Sequence, residues 1–122
     1  MSCCGESASC GDRDLVRSRA ALVIWCIPAA LVFLGIFWAQ ARGTLWIPSF
    51  IVMGLACLFN ARRCGRLHCH ITGPLFLLAA LVTLLDALAI VRVAWPWILV
   101  PAVTGTALGY GLERIRGLYV SR

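Results

Sequence analysis

Cys64, His68, Cys69 and His70 lie close together in the stretch ARRCGRLHCHITGP, residues 61–74, which also carries three arginines. Thiolate sulfur and imidazole nitrogen suit soft or borderline ions such as Cu(I), Hg(II) or Zn(II). Arg63 and Arg66 flank Cys64, and adjacent positive charge favours the thiolate, the form that binds metal. On one continuous helix, Met53, Cys57, Cys64 and His68 fall at about 0°, 40°, 20° and 60°. That is a single stripe of soft donors, which Cys69 and His70 extend. Cys3, Cys4 and Cys10 precede the first apolar run. The segment from Cys10 to Ala20 spans about 18 Å as flexible coil, enough to bring those thiols to the stretch, and the adjacent Cys3 and Cys4 could pass on a soft ion by ligand exchange. The expected metal donors are therefore Cys64, His68, Cys69 and His70 as the core, with Cys3, Cys4, Cys10 and Cys57. A soft metal ion is the one cofactor these donors suit.

Plainer roles stand beside these. A buried free cysteine behaves as a small hydrophobe, which suffices for Cys26 and Cys57. The histidines could be polar residues at headgroup level. C-x4-C is not a standard zinc spacing. No C-x-x-C-H haem motif is present and no serine is paired with a base, so the chain reads as a non-enzyme.

One carboxylate, Asp86, falls inside an apolar run, and it reads as the chain's one buried acid. It lies about 22 Å from the inner end of that run, and an ionisable group within a membrane marks a functional site by default. In a transport reading, Asp86 receives a cation that passes toward Cys26 and Cys57 and then the loop thiols. In a structural reading it pairs with Arg92 or Arg42, or bonds Thr83 or Thr104.

The elements that position these residues follow from composition. Of 122 residues, 61% are hydrophobic and only 13% charged, about half the charge share of a soluble domain. The medium is expected to be lipid. Four runs, 20–41, 43–61, 71–91 and 93–112, each approach the roughly 20 residues needed to span a hydrocarbon core. In lipid the backbone must pair internally, so each run should be a helix. A 1–19 tail carrying cysteines and a short basic 113–122 tail flank this 20–112 domain, and the first tail reads as flexible. Ala39-Gln40-Ala41 looks like a signal-peptidase site, but the run before it is longer than a signal core and has a long head.

All eleven basic residues are arginine, and the net charge is +6. They lie between apolar runs rather than on one soluble face, which argues against nucleic acid as a partner. Nine fall in the two tails and the central connection, and two, Arg42 and Arg92, in the other connections. The positive-inside rule then places both termini and the central connection in the cytoplasm, and Trp38, Trp46, Trp95 and Trp97 near the outer interface. Every cysteine is then in the cytoplasmic half, where thiols stay reduced.

Short connections about Arg42 and Arg92 force antiparallel neighbours. The expected fold is all-α, a membrane four-helix bundle, up-down-up-down. Gly105 and Gly109 permit close helix approach, Pro28 and Pro101 should kink their helices, and Thr72-Gly73-Pro74 reads as the start of the third helix.

In size and design, this four-helix, cysteine-bearing chain resembles the bacterial mercuric-ion uptake proteins of the inner membrane. Those families carry a vicinal cysteine pair in the first membrane helix; here that run holds Cys26 alone, and the vicinal pair is Cys3-Cys4 in the tail. The segment Asn60–Pro74 also resembles a signature of small membrane proteins to which no activity attaches. The resemblance implies uptake of a soft metal ion. The expectation is a multi-pass protein of the inner (plasma) membrane that binds or transports such an ion. The alternatives are a non-catalytic membrane subunit or assembly partner, working as an oligomer or with a partner protein, and a thiol redox protein.

Overall fold

A computed structural model describes residues 19–117, and every regular element among them is helical. Helix α1 (Ile27–Phe37) is entered through a π-helical stretch, Leu22–Cys26, in which the Ile27 N–H donates to the Leu22 carbonyl. Pro28 supplies the cause. It has no N–H for the carbonyl four residues back, and its ring crowds that carbonyl. A wider turn relieves the clash without breaking the helix. A 3-10 turn, Ala39–Ala41, leads into α2 (Arg42–Cys64), followed by α3 (Leu67–Ala87) and α4 (Pro96–Arg116).

The central loop expected over residues 62–70 shrinks to Gly65 and Arg66. Gly65 takes the left-handed conformation (φ 64°) and its N–H returns to the Ala61 carbonyl at 2.8 Å, which closes α2. Glycine adopts this conformation without steric cost. Arg66 is extended and α3 begins at Leu67, so Thr72-Gly73-Pro74 lies inside α3 and does not start it. The continuous helix that would carry Met53, Cys57, Cys64 and His68 in one stripe therefore ends at Cys64. The connection about Arg92 is longer than expected. After α3, Ala89 turns the chain at φ 58°, and α4 begins only at Pro96.

Packing is sequential: α1 on α2, α2 on α3 and α3 on α4. Among the described residues α1 makes no comparable contact with α4, so the expected bundle is an open row rather than a closed ring. Contacts that advance along α2 retreat along α3: Gly43 faces Ala87, Gly54 faces Leu77, and Cys57 faces Gly73. Close approach explains the glycines. A Cβ on Gly54 would lie 3.1 Å from the Gly73 carbonyl oxygen, and one on Gly109 would lie 3.1 Å from the Cα of His68. Gly105 faces Leu75, so both members of the G-x-x-x-G pair sit in the α3–α4 seam.

Trp46 is a core residue, not the interface residue expected from its type. It is fully buried, packs edge-on against Phe50, and donates its Nε1–H to the Val32 carbonyl at 2.8 Å. Phe50 in turn stacks on Phe76 of α3. Gly35 of α1 offers the indole a flat seat and Val32 an acceptor, as buried Trp N–H requires. Trp38 and Trp97 stay exposed.

The stretch Ala39–Cys64 and α3 are each long and apolar enough to cross a membrane. Their outward faces carry Ile51, Val52, Leu55, Phe59, Leu78, Leu81 and Leu84, all exposed.

A Cβ at Gly35 collides with the Trp46 ring. Gly35→Ala is expected to lower stability by about 1–3 kcal/mol, the cost of overpacking, seen as a lower thermal midpoint in detergent with a red-shifted indole emission. At Gly111 nothing lies within 4 Å of such a Cβ, so Gly111→Ala should gain about 0.5–1 kcal/mol from helix propensity alone.

Candidate functional site

The polar residues of the former loop fold inward at the junction of α2, α3 and α4, and a carboxylate from α4 organises them. Glu113 is buried, and its Oε1 accepts from the His68 backbone N–H at 3.1 Å, from Arg66 Nε at 3.3 Å, and bonds His68 Nδ1 at 2.6 Å. The first bond satisfies an orphan N–H in the first turn of α3, so α4 caps α3 with a charge of the sign that suits a helix N-terminus. Sequence reasoning placed Glu113 at the edge of a tail and took Asp86 as the buried acid. The structure reverses this: Glu113 is 5% exposed, whereas Asp86 is half-buried. The available signal was a lone carboxylate at the inner end of a run, facing an arginine-rich turn.

A carboxylate acceptor fixes the histidine tautomer. With the proton on Nδ1 directed at Glu113, Nε2 is left as an acceptor. It lies 3.4 Å from Cys69 Sγ. The His68 ring also stacks on Tyr110, centroids 4.3 Å apart, over the space that Gly109 leaves open. Cys69 Sγ accepts from Asn60 Nδ2 at 3.6 Å, and Cys57 belongs to the same buried core cluster across the α2–α3 seam. Cys57 Sγ is 3.2 Å from Thr72 Oγ1, whose hydroxyl donates to the His68 carbonyl at 2.9 Å. Both thiols are completely buried. A continuous chain therefore runs Arg66–Glu113–His68–Cys69–Asn60, and Cys57 joins it through Thr72 and the His68 carbonyl. The order Cys69, His68, Glu113 is that of nucleophile, base and orienting carboxylate, but Cys69 has no exposed surface to meet an organic substrate.

The expected donors are thus only partly gathered. His68, Cys69 and Cys57 come together. Cys64 is buried at the last turn of α2. His70 is exposed, because two residues along a helix from His68 is nearly the opposite face. Met53 packs half-buried against the core, and Cys26 is exposed on the π-helical stretch. Cys3, Cys4 and Cys10 lie outside the described residues. Among the described residues no group of three or more His, Cys, Asp or Glu side chains forms a metal-holding cluster. The four-donor core of Cys64, His68, Cys69 and His70 is corrected accordingly: the helix rotation that buries His68 and Cys69 carries His70 away. A 600 Å³ cavity beside the network is lined by Arg66, Tyr110, Gly111, Glu113 and Arg114.

At the other end of α3, Asp86 Oδ1 accepts from the Val93 backbone N–H at 3.0 Å. It thus ties down the α3–α4 connection, and makes neither an ion pair with Arg42 or Arg92 nor a bond to Thr83 or Thr104. Thr83 bonds its own helix at Ala79, and Thr104 bonds the Val100 and Pro101 carbonyls.

No family model, no curated protein and no solved structure matches this chain. What the fold and site define is an all-helical chain, two of its helices long and apolar enough to cross a membrane, with a buried charged and thiol-bearing network at one end.

Glu113→Ala removes the acceptor of three donors and leaves a buried His68 nitrogen bare. The expected loss is about 3–5 kcal/mol, read as a lower thermal midpoint with faster amide exchange in α4. Glu113→Gln keeps an acceptor oxygen and should lose less.

Proposed function

We propose that the chain is a multi-pass protein of the inner (plasma) membrane, its four helices crossing up, down, up, down with both termini cytoplasmic, and that its inner end binds a soft metal ion between Cys57 and Cys69. The membrane reading is supported by the length and apolarity of α2 and α3, by their exposed apolar faces, and by the nine-to-two division of arginines.

The metal reading rests on one observation: two buried thiols share one core cluster between α2 and α3, one of them 3.4 Å from an imidazole Nε2 held as an acceptor. Thiolates select soft ions. Cu(I) and Hg(II) are satisfied by two thiolates in near-linear array, whereas structural Zn(II) wants four donors, so the ion class narrows to the first two. Binding would replace two S–H bonds with two S–metal bonds, one thiol proton passing to His68 and the other to solution. His68 Nε2 takes the Cys69 proton, and Glu113 stabilises the resulting imidazolium; the Cys57 proton is released. Between this end and Asp86, α3 turns Phe76, Ala79 and Ala80 to the core. That apolar stretch favours binding over passage of an ion.

The test is metal content of protein reduced and purified anaerobically, then loaded with Cu(I) or Hg(II) and dialysed. About one ion per chain is expected from the single thiol pair. Cys57→Ser/Cys69→Ser should lose it, while Cys26→Ser/Cys64→Ser should keep it. Retention by the first double variant sinks the site. If the parent takes up no ion but forms a reversible Cys57–Cys69 disulfide on oxidation, the thiol redox reading replaces it. If it does neither and copurifies with another membrane protein, the assembly-partner reading does.

A further inference from the structure

The end of the molecule opposite the thiols holds a cavity of about 430 Å³ lined in part by Gln40, Arg42, Thr44, Thr83, Asp86 and Trp95. Its size falls within the range of small-ligand sites. A guanidinium and a carboxylate line the same space without pairing with each other. Arg42 is held by α1: its Nε donates to the Gly35 carbonyl at 3.0 Å and one terminal nitrogen to the Ile36 carbonyl at 3.4 Å, with the guanidinium 5.5 Å from the Trp46 ring centroid. Asp86 is held by the Val93 N–H through Oδ1 alone. Each charge is therefore fixed by backbone groups, and each keeps an atom, Arg42 Nη1 and Asp86 Oδ2, with no partner among the described residues. Two opposite charges anchored apart on one cavity are complementary to a ligand carrying the reverse pair.

We infer that this cavity binds a phosphoethanolamine group, its phosphate on Arg42 and its ammonium on Asp86. Guanidinium is the side chain best shaped for phosphate. A primary ammonium has three N–H donors to give, and the acceptors on hand are the Asp86 carboxylate and the Thr83, Thr44 and Gln40 oxygens. The Trp95 ring adds a face for the cation. A quaternary ammonium has no N–H to give and would need a cage of several rings, whereas this wall has one. The inference rests on the membrane reading above in one respect: in that orientation the cavity lies at the level of the exposed Trp38 and Trp97, where phospholipid headgroups lie, so the lipid is the natural source of the group.

The experiment is native mass spectrometry of the full chain in detergent micelles doped in turn with phosphatidylethanolamine, phosphatidylcholine and phosphatidylglycerol. The parent should retain the ethanolamine lipid in preference by about tenfold, the worth of one charge-assisted hydrogen bond. Asp86→Asn keeps an oxygen for the Val93 N–H, so the connection stays folded, and it should abolish the preference. Equal retention of all three lipids by the parent, or an unchanged preference in Asp86→Asn, overturns the inference. Soluble glycerophosphoethanolamine should compete where glycerophosphocholine does not; equal competition by both also overturns it. If the chain proves to partition into water without detergent, the membrane reading fails on its own. The soluble-headgroup titration, run without detergent, then still decides the cavity.

Discussion

Glu113 Oε1 gathers three donors, His68 N–H, His68 Nδ1 and Arg66 Nε, within 3.3 Å. A carboxylate that is 5% exposed is tolerable only with such compensation, and meeting it dictates much of the inner end. Arg66 and His68 must both reach α4, so the chain between α2 and α3 is cut to two residues and must reverse at Gly65. His68 must come close enough to α4 for its Cα to lie 3.1 Å from where a Cβ of residue 109 would stand, so that position is glycine. Tyr110 then falls on the His68 ring. Once His68 is fixed, its neighbour Cys69 faces α2, where Asn60 and Cys57 wait. The thiol pair is in this sense a consequence of the carboxylate.

Polar bonds and small residues carry this much weight because of the surroundings proposed for the chain. Apolar side chains gain little by leaving lipid for one another, so helices in a membrane associate through close packing and hydrogen bonds. The three seams use both. The α1–α2 seam has Gly35 against Trp46 and the Trp46–Val32 bond. The α2–α3 seam has Gly54 against Gly73 and the Cys57–Thr72 bond. The α3–α4 seam has Gly109 against His68 and the Glu113 cluster. Each seam is complete by itself, which is why an open row of helices can hold without α1 closing on α4.

Hydropathy read the helices well and their ends poorly. The runs 43–61 and 71–91 fall on α2 (Arg42–Cys64) and α3 (Leu67–Ala87). Residues 62–70 read as a loop because five of the nine are arginine or histidine, and a window average counts polarity without asking what satisfies it. Here Glu113, distant in sequence, does. The same blindness hid the site. Helical spacing relates residues on one helix, and it proposed Cys57, Cys64 and His68 as a stripe. The contacts that form, Cys57 with Thr72 and Glu113 with His68, cross between helices. Trp46 was misplaced for a related reason: its type suits an interface, and only the partner helix reveals the acceptor that draws it into the core.

The two ends of α3 make an instructive contrast. At the end near Gly65 the charges cancel within the protein: Arg66 against Glu113, whose oxygen also holds the His68 ring and backbone N–H. Such a cluster has little to gain from an added charged ligand, and what remains available there is sulfur, which binds through its own chemistry. At the other end Arg42 and Asp86 are each tied to backbone groups and make no ion pair with one another. Both line one cavity, and a ligand carrying the reverse pair of charges would complement them where they stand.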